Sequence, residues 1–66
     1  MMMLFVKLTE TVDESDMWFN VANIAAVSRS PLGSVITSVT GNPLAVVKET
    51  PEEVMQRIVE SVEVPE

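Results

Sequence analysis

The 66-residue chain has no cysteine, no histidine and no tyrosine, and only two glycines and four basic residues. Without cysteine there is no disulfide, no thiol nucleophile and no Fe–S cluster; without histidine as well, there is no imidazole base and no ordinary zinc site. Ser28, Ser30, Ser34 and Ser38 carry hydroxyls, but no histidine is present to activate one. A Ser–Lys pairing with Lys7 or Lys48 is the nucleophilic arrangement that the composition permits. Neither glycine lies in a phosphate-cradling loop, and Walker and Rossmann spacings are missing. The chain is therefore read as non-enzymatic, with no catalytic residue, no cofactor and no metal ligand assigned. Long apolar runs are missing too. The longest, residues 1–6, falls far short of the roughly 20 residues that span a bilayer, so no membrane insertion is expected. It lacks a basic leader, is interrupted by Lys7 and has no small-residue cleavage site after it, so it reads as a first strand. The lack of cysteine is compatible with the cytoplasm, which is the expected compartment.

Charge of one sign is also scarce. Four bases, dispersed at Lys7, Arg29, Lys48 and Arg57, stand against ten acids, for a net charge of −6. That balance opposes phosphate backbones and anionic lipid surfaces, so a nucleic-acid partner is not expected. A 47% hydrophobic content, by contrast, is that of a globular domain. Residues 1–66 form one domain. A chain this short buries only about 60% of the surface its unfolded form exposes. With no covalent or metal staple, its core must suffice alone or be completed by association, and a homodimer is favoured over a monomer.

The apolar pattern is mostly of period two, which predicts strands. Leu4, Val6 and Leu8 share one face of the first segment, with Phe5, Lys7 and Thr9 on the other. Residues 13–16, Asp-Glu-Ser-Asp, form a solvated turn; they lack the length, glycine and late glutamate of a calcium loop. Met17, Phe19 and Val21 then alternate with Trp18 and Asn20, and the period slips around Val21-Ala22-Asn23, at a bulge, a bend or a tight turn. Ser30-Pro31-Leu32-Gly33 has hairpin-turn chemistry. The strand over 34–40 places Val35, Thr37 and Val39 on one face. After the Gly41-Asn42-Pro43 turn, the unbroken apolar run 44–47 reads as a last strand buried on both faces, and Lys48-Glu49 as its end with a solvated ion pair.

The period then changes. Thr50-Pro51-Glu52-Glu53 combines an N-cap, a proline at the first helical position, acids in the first turn and the capping-box spacing. Val54, Met55, Ile58, Val59 and Val62 follow as an apolar stripe, with Glu53 and Arg57 spaced as an (i, i+4) pair. Glu60, Glu63 and Glu66 oppose the helix dipole, so fraying is expected beyond Ser61, and Pro65 ends the element. The predicted class is α+β: a small antiparallel sheet of four or five strands, bent towards a half-barrel, with one C-terminal helix packed on it.

Trp18 stands out because Met17 and Phe19 occupy the other face of its strand, so a large aromatic looks away from the helix-covered core. It either packs over a sheet face or barrel rim, or belongs to an exposed apolar patch. On the second reading Trp18, together with Phe5, is the candidate interaction surface, for self-association or for a protein partner.

The order of short motifs resembles that of the FlbD/SwrD-type small flagellar proteins. Lys7-Leu8-Thr9 is followed by Asn20-Val21 with Ile24 close behind, then Gly41, Val46-Val47-Lys48-Glu49-Thr50, and a helix with Glu53-Val54 and Ile58. The similarity spans residues 7–59. The chain departs from the family at an acidic 10–16 loop in place of a Leu-Asn-Gly hairpin, and at an acidic rather than Lys-rich C-terminus. The resemblance implies a cytoplasmic, non-enzymatic accessory protein linked to flagellar motor function, and carries over no catalytic residue. Two alternatives share the fold class: a structural accessory protein of a phage or mobile element, and a small-barrel RNA-binding regulator, which the net charge opposes.

Overall fold

Alternation of small β-branched and apolar residues with polar ones builds six short strands in the computed structural model, which describes the backbone of residues 2–65 and the side chains of residues 4–61. In chain order they are β1 (Met2–Thr9), β2 (Asp16–Asn20), β3 (Ile24–Ser30), β4 (Gly33–Ser38), β5 (Pro43–Val47) and β6 (Val62–Pro65), with the helix α1 (Pro51–Val59) between the last two. The α+β class, antiparallel throughout and with a single helix, is the one the sequence predicts. The strands divide into two three-stranded sheets, ordered β2-β1-β6 and β3-β4-β5.

The sheets are joined at one corner by the end of β1. Thr9 O accepts from Lys48 N (2.8 Å), Glu10 bridges Val47, and Thr11 N donates to Val46 O (3.2 Å). The period slip at residues 21–23 is a single 3₁₀ turn between β2 and β3, capped by Asn20, whose side chain accepts from Ala22 N at 3.0 Å. That turn carries the chain from one sheet to the other. A register shift between Ile24 and Ala26 follows it.

The core sits between the two sheets and under α1. Val6, Leu8, Phe19, Ile36, Val47 and Val54 are buried, with Met17, Val21, Ile24, Val27, Ala45 and Ile58 packed around them. Val6 and Leu8 face inward as their period requires, and Phe19 and Met17 lie opposite them on β2. The inward face of β4 is Ser34, Ile36 and Ser38, rather than the Val35, Thr37 and Val39 face. Two serines fit there because each hydroxyl has a partner: Ser34 Oγ donates to Glu49 O of the β5–α1 connection at 2.7 Å, and at the other end of β4 Ser38 Oγ bonds Thr40 Oγ1.

Three expectations need correction. The run 44–47 is not buried on both faces: β5 is an outer strand, so Leu44 is exposed and only Val47 is fully covered. The stripe of α1 is narrower than its sequence implies. Val54 is buried and Ile58 half-buried, but Val59 is 79% exposed, because only the turn against β1, β3 and β4 meets the sheets. Val62 is not helical at all. Glu60 and Ser61 close the helix with bonds to Gln56 O and Ile58 O, and residues 62–65 then pair with the first half of β1, from Phe5↔Val62 to Met2↔Pro65. Alternating Val-Glu-Val suits a strand, and acids at a helix C-terminus do not suit a helix. The Thr50–Glu53 capping box forms as predicted, at 3.2 Å and 3.0 Å.

Candidate functional site

Cross-strand register places the two residues singled out by sequence on one face. Directly opposed residues share a face, so Phe5↔Asn20, Lys7↔Trp18 and Thr9↔Asp16 form three rows on the outer side of the β1–β2 ribbon. The inner side carries Val6, Leu8, Met17 and Phe19. Trp18 is 58% exposed and Phe5 is partly covered. Both line an open groove of about 300 Å³ that runs from this face to the end of α1, where Arg57, Glu60 and Ser61 form its far wall. Phe5 and Trp18 are thus brought together, diagonally across the two strands. Sequence alone placed neither the helix end nor Arg57 beside them, because Arg57 is far from both Trp18 and Phe5 along the chain.

Arg57 is held there by a buried carboxylate. Glu49 is only 6% exposed, contrary to the solvated strand end expected of Lys48-Glu49. Its Oε1 accepts from Thr9 N at 3.0 Å and its Oε2 from Thr9 Oγ1 at 2.9 Å, while Arg57 Nη1 lies 3.0 Å from Oε2. Burial works against the charge, but the two Thr9 bonds, the backbone of Glu49 and the Arg57 guanidinium together hold the carboxyl below its ordinary value. Arg57 Nη1 also donates to Lys7 O at 3.1 Å. Beyond Phe5, β6 no longer pairs with β1, so Thr9 N and Lys7 O would be bare edge groups; Glu49 and Arg57 satisfy them. The (i, i+4) pairing of Arg57 with Glu53 does not form, since the buried carboxylate is the better-desolvated partner and Glu53 is committed to the cap. No local pattern could have signalled this cluster, because its bonds to β1 join residues 40 and 50 apart.

The remaining polar residues serve as structure. Glu10 Oε2 accepts from Val12 N and Asp13 N (2.8 and 2.9 Å), Asp13 Oδ1 from Ser15 N and Oγ (3.1 and 2.8 Å), and Glu14 pairs with Lys48 (2.6 Å). Hydrogen bonds from Ser15 lower the Asp13 carboxyl, and the Lys48 ammonium lowers that of Glu14. The 13–16 turn is exposed, as expected, with Asp13 spent on turn bonds and Glu14 on an ion pair; among the described residues no group of three acids is placed to hold a metal ion. Lys48 is turned to Glu14, Ser34 Oγ to Glu49 O, and Ser38 Oγ to Thr40 Oγ1 (2.7 Å). Among the described residues, no helix is long and apolar enough to cross a membrane.

A second surface escaped sequence reasoning. Val21, Ile24, Ala25, Ala26 and Val27 meet Met55 and Ile58 in a shallow apolar groove of about 250 Å³ along the outer strand β3. Comparison with protein-family models, with characterised proteins and with solved structures finds no match.

Proposed function

We propose that this chain is a small non-enzymatic protein-interaction module whose contact surface is the outer face of the β1–β2 ribbon around Trp18 and Phe5. The observation that carries this reading is the exposure of Trp18 beside Phe5 in an open groove, on a domain with few aromatics to spare. A 58% exposed tryptophan adds little to folding, whereas at an interface it is among the most favoured anchors. The motif order shared with the FlbD/SwrD-type proteins supports an accessory role of the flagellar kind in the cytoplasm. A structural accessory protein of a phage or mobile element would use the same surface. A small-barrel RNA regulator would need a cationic strand face, which four bases among ten acids do not provide.

The test is light scattering across a concentration series with Trp18 emission recorded in parallel, followed by affinity capture with the full chain and with Trp18→Ala. A dimer that grows with concentration while Trp18 emission shifts to the blue places the surface in a homodimer. A monomer with solvent-exposed Trp18 and a captured protein lost on Trp18→Ala places it against another protein. Capture or association indifferent to Trp18→Ala overturns the reading.

A further inference from the structure

We infer that the groove between Trp18 and the end of α1 takes a protein segment that carries a carboxylate beside a large apolar side chain. This rests on the reading of Trp18 and Phe5 as an interaction surface, and it names the chemistry of the partner.

A protein of net charge −6 would ordinarily be expected to attract basic partners. The groove is a local exception, since two of the four bases, Lys7 and Arg57, line it together with a single acid, Glu60. Arg29 and Lys48 are paired with acids elsewhere, Glu52 and Glu14, and the charge of Arg57 is met from behind by the buried Glu49, which leaves Lys7 as the cation the groove presents. Lys7 is exposed and takes part in no ion pair among the described residues. Glu60 is itself engaged, its Oε2 accepting from Gln56 Nε2 at 2.9 Å.

Arg57 is the more informative of the two cations. Its Nη1 donates to Lys7 O and lies 3.0 Å from Glu49 Oε2 as an ion pair. A guanidinium has five N–H donors in a rigid plane. No hydrogen bond from Nε or Nη2 forms among the described residues, on a side chain that one hydrogen bond and one ion pair already orient. A donor oriented in advance loses little freedom when an acceptor arrives. Lys7 lies directly opposite Trp18, a separation of about 5 Å between Cβ atoms for such pairs. The positive charge and the aromatic surface are thus neighbours, and a ligand that uses both must carry its carboxylate within about two residues of its apolar group.

The experiment immobilises the full chain and selects binders from a displayed random-peptide library; selected peptides are then synthesised and titrated against Trp18 fluorescence. The expected sequences have Asp or Glu within about two residues of Phe, Leu, Ile, Val or Trp. Their affinity falls as salt is added, and by about tenfold with Lys7→Glu, an exposed site where the change leaves folding intact, while Lys7→Arg retains it. Selected peptides without an acid, or with affinity indifferent to salt and to Lys7→Glu, overturn the inference; if Trp18→Ala still abolishes their binding, the Trp18 surface itself stands. Peptides bound equally well by Trp18→Ala, or no enrichment at all, overturn both. A concentration-dependent dimer in light scattering that the selected peptides dissociate assigns the groove to a homodimer and also overturns the inference.

Discussion

Glu49 joins three parts of the molecule through one side chain. Its carboxylate takes both bonds from Thr9 of β1 and the guanidinium of α1, and its carbonyl takes Ser34 of β4. Glu49→Gln keeps the shape but replaces charge-assisted bonds with neutral ones and leaves Arg57 without its counter-charge. It is expected to cost about 2 kcal/mol in urea unfolding, less than a fully buried pair because Arg57 is partly exposed. The pH dependence has a definite sign. The Glu49 carboxyl is held below 4.5 in the folded protein, so its stabilisation is complete above that value and is lost as pH falls through the lower folded value. The thermal midpoint should stay level down to about pH 5 and fall below it, and Glu49→Gln should flatten the fall. Gly33 is constrained differently: at φ +146° it passes so close under the β5–α1 connection that a Cβ would overlap Val47 O. Gly33→Ala should therefore cost about 3 kcal/mol, read as a loss in the urea midpoint, because backbone on both sides must move.

Among the elements, α1 was the most legible and also the one most altered by its surroundings. Its start is local chemistry: Thr50, Pro51 and Glu53 act within one turn, and the capping box forms as their spacing dictates. Thr50→Ala is expected to lower stability by about 1 kcal/mol, measured by chemical denaturation. Its end depends on what the following residues can pair with, and β1 offers a free edge to residues 62–65. The stripe likewise names which residues are apolar, but the sheets select which are covered. Val54→Ala should therefore cost about 2 kcal/mol, whereas Val59→Gln should stay within about 0.5 kcal/mol of the parent protein in the same assay. The Ser30–Gly33 hairpin forms where its turn chemistry predicts, with Pro31 and Leu32 at the tip. β5 did not follow its pattern, because an unbroken apolar run does not say whether a strand lies inside a sheet or at its edge.

For the whole molecule, the accessible area of 4268 Å² is close to the roughly 4,200 Å² expected of a folded monomer of 7.3 kDa. Association is thus not demanded by unburied surface; it would come from particular patches. Trp18→Ala separates the two roles of that residue. It should change unfolding free energy by at most about 1 kcal/mol, since the ring is mostly in solvent, while removing partner capture or concentration-dependent association. The same assays on Phe5→Ala should show a larger loss of stability, because Phe5 is the better covered of the pair. The β3 groove, built from Ile24, Ala25, Ala26 and Met55, should not respond to either substitution.

The sequence by itself determined what acts over a few residues. Strand faces follow from period two, the hairpin from Pro31 and Gly33, the helix start from its capping box, and the outward aim of Trp18 from its neighbours Met17 and Phe19. It also determined the charge balance and the lack of thiol and imidazole chemistry. The tertiary structure decided what depends on contacts between distant residues: that the strands divide into two sheets joined at Glu10 and Val47, that Glu49 is buried, that Arg57 turns to it instead of Glu53, and that residues 62–65 pair with β1. The physical reason is the same in each case. A strand edge, a buried carboxylate and a helix end are each satisfied by whichever group the fold brings near, and that group lies beyond the reach of a local pattern, 40 residues away for Thr9 and Glu49 and 50 for Lys7 and Arg57.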